Sequence, residues 1–432
     1  MNHTNISGGL HDIVFLLFVH LIIQHENRKE RERMTLDKKR SMFALLALAV
    51  SAFAIGTTEF ISVGLLPLIS EDLNISVTTA GLTVSLYALG VMVGAPILTS
   101  LTSRMPRKSL LLWIMVVFII GNGIAASATS VTVLLVARVI SAFSHGVFMS
   151  IGSTIAADVV PENRRASAIS IMFTGLTVAT ITGVPFGTFV GQQFGWRLAF
   201  VAIVIIGIIG LIANYILVPS DLQQSKPTSI RDQVKLVTNS RILLVLTITA
   251  LGYGGTFVVF TYLSPMLQTI TGFKQGTIVM ILLVYGIAIA IGNMIGGKLS
   301  NKNPIGSLFF MFIAQAIVLF VLTFTIPFKV AGLITIVFMG LFAFMNVSGL
   351  QVYVVMLAER FVPSAVDVAS AMNIAAFNAG IAIGAYAGGV VTDSIGLMHT
   401  AWIGGAMVMI AALLTGISRS LERKDLRRLG TS

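Results

Sequence analysis

The chain has 432 residues, 56% of them hydrophobic and only 10% charged, with a mean hydropathy of +0.94 and a net charge of +11. A soluble domain carries roughly one quarter charged residues, so this composition excludes a soluble enzyme or binding module and indicates an integral membrane protein. It has no cysteine, which excludes disulfides, thiolate metal ligands and cysteine nucleophiles.

Residues 1–41 form an N-terminal extension. Its apolar run "IVFLLFVHLII" (13–23) is too short to span a bilayer and lacks the small-residue cleavage site of a signal peptide. The following "ENRKERER" can be encoded almost wholly by purines, as a bacterial ribosome-binding site would be, so translation is expected to begin at Met34. The alternative is an interfacial anchor, and mass spectrometry of the native N-terminal peptide separates the two.

From residue 42 onward, apolar runs of bilayer-spanning length recur between polar breaks. They predict twelve helices near 42–68, 78–102, 109–128, 130–157, 166–191, 197–218, 241–265, 275–300, 305–327, 330–358, 366–392 and 398–418. The first contains "GTTEFISVGLLPLI" (56–69), in which Glu59 costs at least ~2.5 kcal/mol near the bilayer centre unless paired, protonated or wetted. Ser51, Thr58 and Ser62 recur near it at helical spacing, which predicts a wet or protein-facing stripe. A carboxylate there can load a proton from one side and lose it to the other as hydration changes; the alternative is a glutamate that only bonds a neighbouring helix.

The fourth helix carries "RVISAFSHG" (138–146). Arg138 and His145 lie seven residues apart, hence on one face about 10 Å apart, with Ser141 between them. The arginine keeps its charge and must find a carboxylate, carbonyls or water; His145 suits either substrate or proton handling, or simple packing. The fifth helix reads "GVPFGTFVG" (183–191), where Gly183, Gly187 and Gly191 make a flat stripe for close helix approach and Pro185 removes one backbone hydrogen bond. The same spacing in "GNMIG" (292–296) and "GAYAG" (384–388) reads as ordinary tight packing. Cavity-lining polar groups are expected among Thr58, Ser62, Ser141, Tyr253, Asn346, Asn373 and Asn378, with Tyr262, Asn293, Gln315, Gln351 and Tyr353 as further candidates. An amide in a helix core needs a partner, which favours Asn373 and Asn378.

With the N-terminus in the cytoplasm, 24 of the 28 basic residues fall in inside segments, three (Arg197, Lys274, Lys329) outside, and Arg138 within a helix. This positive-inside pattern supports an even helix count with both ends cytoplasmic, and it accounts for the +11 without a nucleic-acid partner. "GLLPLI" (64–69), "SLTSR" (100–104) and "ASA" (166–168) are echoed by "YLSPML" (262–267), "KLSNK" (298–302) and "ASA" (369–371). The near-constant spacing predicts two parallel six-helix halves, 42–218 and 241–418, joined by a cytoplasmic linker at 219–240 and followed by a basic tail at 419–432.

"GTTEF…GLLP", "RVISAFSHG", "RRASAISIMFTGLTVATITGVPFGTFVGQQFGWRLAF" and "NIAAFNAGIAIGAYAGG" resemble the major facilitator superfamily. They are most similar to its twelve-helix drug:proton antiporter group, notably sugar-efflux-like and purine-nucleoside-efflux-like members. The resemblance covers nearly all of residues 42–418. It implies an all-α fold of two pseudo-symmetric halves, with Glu59 as the embedded acid of the first helix and Arg138 as the arginine associated with proton coupling. It also implies that Gly183, Pro185, Gly187 and Gly191 form the kinked antiporter motif. In the loop between helices two and three, "TSLTSRMPR" (99–107) keeps the gate residues Leu101, Arg104 and Arg107. It has Ser103 where the family has aspartate and Pro106 where it has glycine; Asn301 and Val184 are further departures.

The expected function is a proton-coupled exporter of a small drug, sugar or nucleoside, working by alternating access as a monomer in a bacterial plasma membrane. Its partners are a small-molecule substrate, protons and the lipid bilayer, with no nucleic acid, metal or cofactor beyond the proton gradient. Glu59 would carry the proton, with Arg138 and His145 coupling its release to substrate. The alternatives are an uptake symporter of the same fold or a non-transporting membrane sensor. No phosphate-binding loop or nucleophile triad stands out, so neither internal ATP hydrolysis nor an enzyme is expected.

Overall fold

A computed structural model describes residues 7–102, 105–161, 165–220, 222, 230–300, 303–363 and 366–428, with side chains from residue 39 onward except beside those breaks. The side chains of the run 13–23 lie outside that set. Ser103, Arg104 and Asn301 lie outside the described residues altogether.

Every long element among these residues is helical. In chain order they are α1 (Ser7–Asp72), α2 (Val77–Leu101), α3 (Arg107–Ala126), α4 (Val131–Asp158), α5 (Arg165–Phe194), α6 (Trp196–Leu217), α7 (Ile230–Thr238) and α8 (Ser240–Phe260). There follow α9 (Leu263–Thr269), α10 (Gln275–Ser300), α11 (Pro304–Thr325), α12 (Lys329–Ala343), α13 (Val347–Phe361), α14 (Val366–Ser394) and α15 (Thr400–Arg428). Twelve segments among the described residues are long and apolar enough to cross a membrane, as the sequence predicts.

Two spans read from sequence as single helices are broken: α8 with α9, and α12 with α13. At the first, Pro265 has no N–H for the Thr261 carbonyl, and the chain tightens to a Tyr262 N–H bond to the Val259 carbonyl at 3.1 Å. At the second, Met345 and Val347 turn back to the carbonyls of Phe342 and Phe344. This break lies over "GNMIG": a Cβ on Gly292 or Gly296 would overlap the carbonyl of Leu341 or Met345.

Helix ends follow local chemistry. Ser130 and Asn239 cap α4 and α8 by accepting backbone N–H bonds, and Asn303 does so for α11, which begins with Pro304. The reversals into α6 and the turn before α15 use Gly195 and Gly396 at φ 90° and 103°, a region that glycine enters without a Cβ penalty. The two glycines stand 201 residues apart, close to the repeat spacing.

The packing repeats as well. In the first half α1 lies on α5 and α6, α2 on α4, and α3 on α6; in the second α8 lies on α14 and α15, α10 on α12, and α11 on α15. Gly183, Gly187 and Gly191 of α5 sit opposite Thr57, Ile61 and Leu65 of α1. Gly380, Gly384 and Gly388 of α14 sit likewise opposite Ala250, Gly254 and Val258 of α8. Both seams pair residues four apart on parallel helices, so "GAYAG" belongs to the second copy of the α5 stripe. Each half has a large apolar core, and the two interlock: Phe60, Val63, Val84, Ala88 and Val184 pack into that of the second half and Tyr262 into that of the first.

The halves meet through α2 against α14 and α5 against α10. Among the described residues, the hydrogen bonds joining them run from Thr78 Oγ1 to the Asp393 carboxylate (2.7 Å) and the Gly389 carbonyl (3.2 Å), from Ser85 Oγ to the Ala382 carbonyl (2.8 Å), and from Gln192 Nε2 to the Gln275 carbonyl (3.2 Å). All lie toward the membrane face that bears the α1–α2 loop. Replacing Thr78 with valine removes two of these bonds at a cost of about 1 kcal/mol, and so is expected to open that face about fivefold more often. The chain has no cysteine, so a single cysteine at Ala382 reports directly: its alkylation from that side rises in Thr78→Val and is unchanged if the bonds do not hold the face shut.

Candidate functional site

Between the membrane midplane and the opposite, basic face lies a cavity of about 280 Å³ lined from both halves. The first half contributes Glu59 from the apolar span of α1 (Lys39–Asp72), His145 from α4 and Thr177 and Thr180 from α5; the second contributes Tyr253, Asn293, Gln351, Asn373 and Asn378. Phe60, Phe344 and Phe377 complete an aromatic wall with Tyr253. Tyr253 stands edge-on to Phe377 with centroids 4.0 Å apart, and Phe344 lies 5.8 to 6.2 Å from Tyr253, Phe60 and Phe377, the range of favourable edge contacts.

Glu59 is 8% exposed and Arg138 1%. The guanidinium reaches α1 and α2 through main-chain carbonyls: Nε donates to Thr83 O at 3.1 Å, Nη1 to Thr58 O at 2.7 Å and Nη2 to Glu59 O at 3.4 Å. It therefore grips the backbone beside the carboxylate. The guanidinium carbon also lies 4.0 Å from the centroid of the Tyr87 ring, a cation–π contact, and the Tyr87 hydroxyl is 3.2 Å from His145 Nδ1. Tyr87 of α2 thus bridges the two residues that sequence spacing places on one face of α4. It was missed because its signal, a lone phenol in an apolar helix, says nothing of which neighbour it meets.

Tyr87→Phe keeps the ring under Arg138 and removes only the hydroxyl. It is expected to lower stability by about 1 kcal/mol, read as a fall in the unfolding midpoint of purified protein; an unchanged midpoint would show that the Tyr87–His145 bond contributes nothing.

The cavity holds three of the seven expected polar residues: Tyr253, Asn373 and Asn378. Thr58 is turned away and donates to Asn122 Oδ1 of α3 at 3.0 Å, because successive residues of a helix point about 100° apart and Glu59 takes the cavity side. Ser51 accepts from Asn214 of α6 at 2.8 Å. The predicted stripe is therefore protein-facing, with Glu59 alone at the cavity. Ser141 bonds its own helix at Ala137 O, Asn346 donates to Gln315 Oε1 at 3.2 Å, and Ser62 is fully buried.

Asn373 is fixed in a chain of amides, accepting from Thr249 at 2.8 Å and donating to Gln351 Oε1 at 2.8 Å, while Gln351 donates to Ser370. Three of the lining residues carry a buried oxygen without a protein partner, the Tyr253 hydroxyl and the side-chain carbonyls of Asn293 and Asn378, and a buried polar atom in that condition calls for a partner such as water or a ligand. At the basic face Arg107 pairs with Asp158, the last residue of α4, an acid the sequence reading passed over; Leu101 is exposed. Among the described residues, no three His, Asp or Glu side chains come together as a metal site.

The Major Facilitator Superfamily model matches residues 48–360. The chain is 77% identical over 392 residues to the uncharacterized MFS-type transporter YtbD of Bacillus subtilis, covering 91% of this chain and 99% of that one. It is 36% identical over 377 residues to the inner membrane transport protein YdhP of Escherichia coli K12, covering 87% and 96%. The crystal structure of a bacterial homolog to the human lysosomal transporter Spinster, inward-facing and unoccupied, shares the fold with a TM-score of 0.70 at 17% identity, covering 89% of this chain and 98% of that one. With a shared cavity between two packed halves and relatives this similar along nearly their whole length, the chain belongs to the Major Facilitator Superfamily and is a multi-pass membrane secondary transporter of a small molecule, not an enzyme.

Proposed function

We propose that the protein is a proton-coupled exporter of a small organic solute, with its basic face in the cytoplasm and the monomer as the transporting unit. The observation that carries this reading is Glu59: a carboxylate within the first span, on the wall of a cavity shared by both halves, with Arg138 of α4 anchored to the α1 backbone beside it. Alternating access would rock the halves about the α2–α14 and α5–α10 contacts, and the hydrogen bonds at the far face would be those broken on opening outward. Glu59 exchanges its proton with whichever side wets the cavity, and substrate and proton are coupled because each shifts the same inward/outward equilibrium.

The cavity chemistry supports a solute with a flat apolar part for the aromatic wall and hydrogen-bonding groups for the amides. The glycine stripe on α5 carries no direction, since α14 has the same seam. A growth-inhibition screen in an exporter-depleted host, with and without the protein, identifies a substrate. Everted vesicles then test the mechanism: uptake into them should require an acidic interior and collapse with a protonophore. Uptake that ignores the protonophore overturns proton coupling, and solute movement with the proton gradient instead of against it makes the protein a symporter.

A further inference from the structure

Beyond the transport site, the end of α15 is two-sided. One side is pinned to the protein: Ser418 bonds the Tyr353 hydroxyl at 2.9 Å, and Asp425 lies 3.3 Å from Arg241 and 3.9 Å from Arg360. The other side, with Phe309 of α11, encloses a surface cavity of about 520 Å³ whose polar lining among the described residues is Arg419, Ser420, Arg423 and Lys424, with no carboxylate among them. The two acids of this segment, Glu422 and Asp425, are both engaged on the opposite side, Glu422 against Tyr353 and Asp425 against Arg241 and Arg360. Arg419 is held in place by the Phe309 and Phe310 rings, at 5.7 and 5.8 Å from their centroids.

The position fixes the kind of anion. One turn deeper along α15, Ile417 and then Leu413 belong to the same cavity and are 52% and 61% exposed, so an apolar strip runs from the cations toward the bilayer core. A soluble phosphate would use only the cations. A phospholipid would use both, with its phosphodiester against Arg419, Arg423 and Lys424 and its first acyl carbons along Ile417 and Leu413. Basic pockets at the cytoplasmic ends of membrane helices suit such headgroups. We infer that the α11–α15 groove at the basic face is a binding site for the headgroup of an anionic phospholipid.

The test uses full-length protein purified in detergent and mixed with phosphatidylglycerol or phosphatidylcholine, with bound lipid counted by native mass spectrometry. The wild type is expected to retain phosphatidylglycerol at least about tenfold over phosphatidylcholine. Arg419→Gln/Arg423→Gln/Lys424→Gln is expected to lose that preference, while Arg419→Lys/Arg423→Lys/Lys424→Arg keeps it. A second triple variant, Lys38→Gln/Lys39→Gln/Arg40→Gln, removes equal charge elsewhere on the same face and should leave it unchanged. Equal retention of the two lipids, equal loss in both glutamine variants, or displacement of phosphatidylglycerol by millimolar inorganic phosphate would each overturn the inference. Size-exclusion profiles matching the wild type establish that the variants are folded.

Discussion

Glu59→Gln is expected to bring substrate-driven proton movement in vesicles down by roughly two orders of magnitude, to the level of vesicles without protein. Glutamine has nearly the volume and shape of glutamate, and the hydrogen bond from Arg138 goes to the residue's main-chain carbonyl, which the substitution leaves in place. The fold should therefore survive, and a normal size-exclusion profile and thermal midpoint should accompany the loss of flux. The uncharged variant should still bind substrate, because the aromatic wall and the Asn373–Gln351 amide chain are untouched. Proton movement persisting in the variant would remove Glu59 from the mechanism and leave it a structural neighbour of Arg138.

A large effect on stability is expected at the second glycine seam. A Cβ on Gly384 would overlap the carbonyl of Gly254, and one on Gly380 the carbonyl of Ala250; main chain on a packed helix cannot swing aside as a side-chain tip can. Gly384→Ala should cost about 1–3 kcal/mol through overpacking, and Gly384→Val more. The loss would appear as a lower unfolding midpoint and lower yield in the membrane. Gly276→Ala is the internal comparison, because a Cβ there meets nothing within 4 Å; it should stay within about 0.5 kcal/mol of the wild type. Equal behaviour of the two variants would mean that the α8–α14 contact is looser than the geometry implies.

These residues show how far the sequence could be read. The spans were legible because lipid forces every backbone group into a helix and every helix into an apolar run of fixed length. The breaks in two of the spans were harder to see, since each depends on a local event, Pro265 in one and the close pass over Gly292 and Gly296 in the other. Glu59, Arg138 and His145 were legible as chemically expensive groups in an apolar chain, and the structure brings them within one small region. Their wiring was not legible. That Arg138 takes carbonyls and that Tyr87 joins it to His145 depends on which faces of α1, α2 and α4 meet.

The same limit explains Thr58 and Ser141. Helical spacing put them near the charged residues, yet a rotation of about 100° between neighbours sends Thr58 to Asn122 and leaves Glu59 at the cavity. Asn373 and Asn378 fared better because a core amide must face something polar, and here the polar space is the cavity. The spacing of "GAYAG" in the sequence indicates packing alone; that it repeats the α5 stripe follows from both seams lying against the first membrane span of their own half.

The central claim, that substrate and proton share one cycle through Glu59, is tested most directly by following protons during binding. Purified protein in weakly buffered detergent solution, with a pH indicator present, is mixed with a substrate from the screen. An antiporter releases protons as substrate binds, and Glu59→Gln binds the same substrate while releasing none. Binding by the wild type with no proton release, or equal release by the variant, would contradict the account.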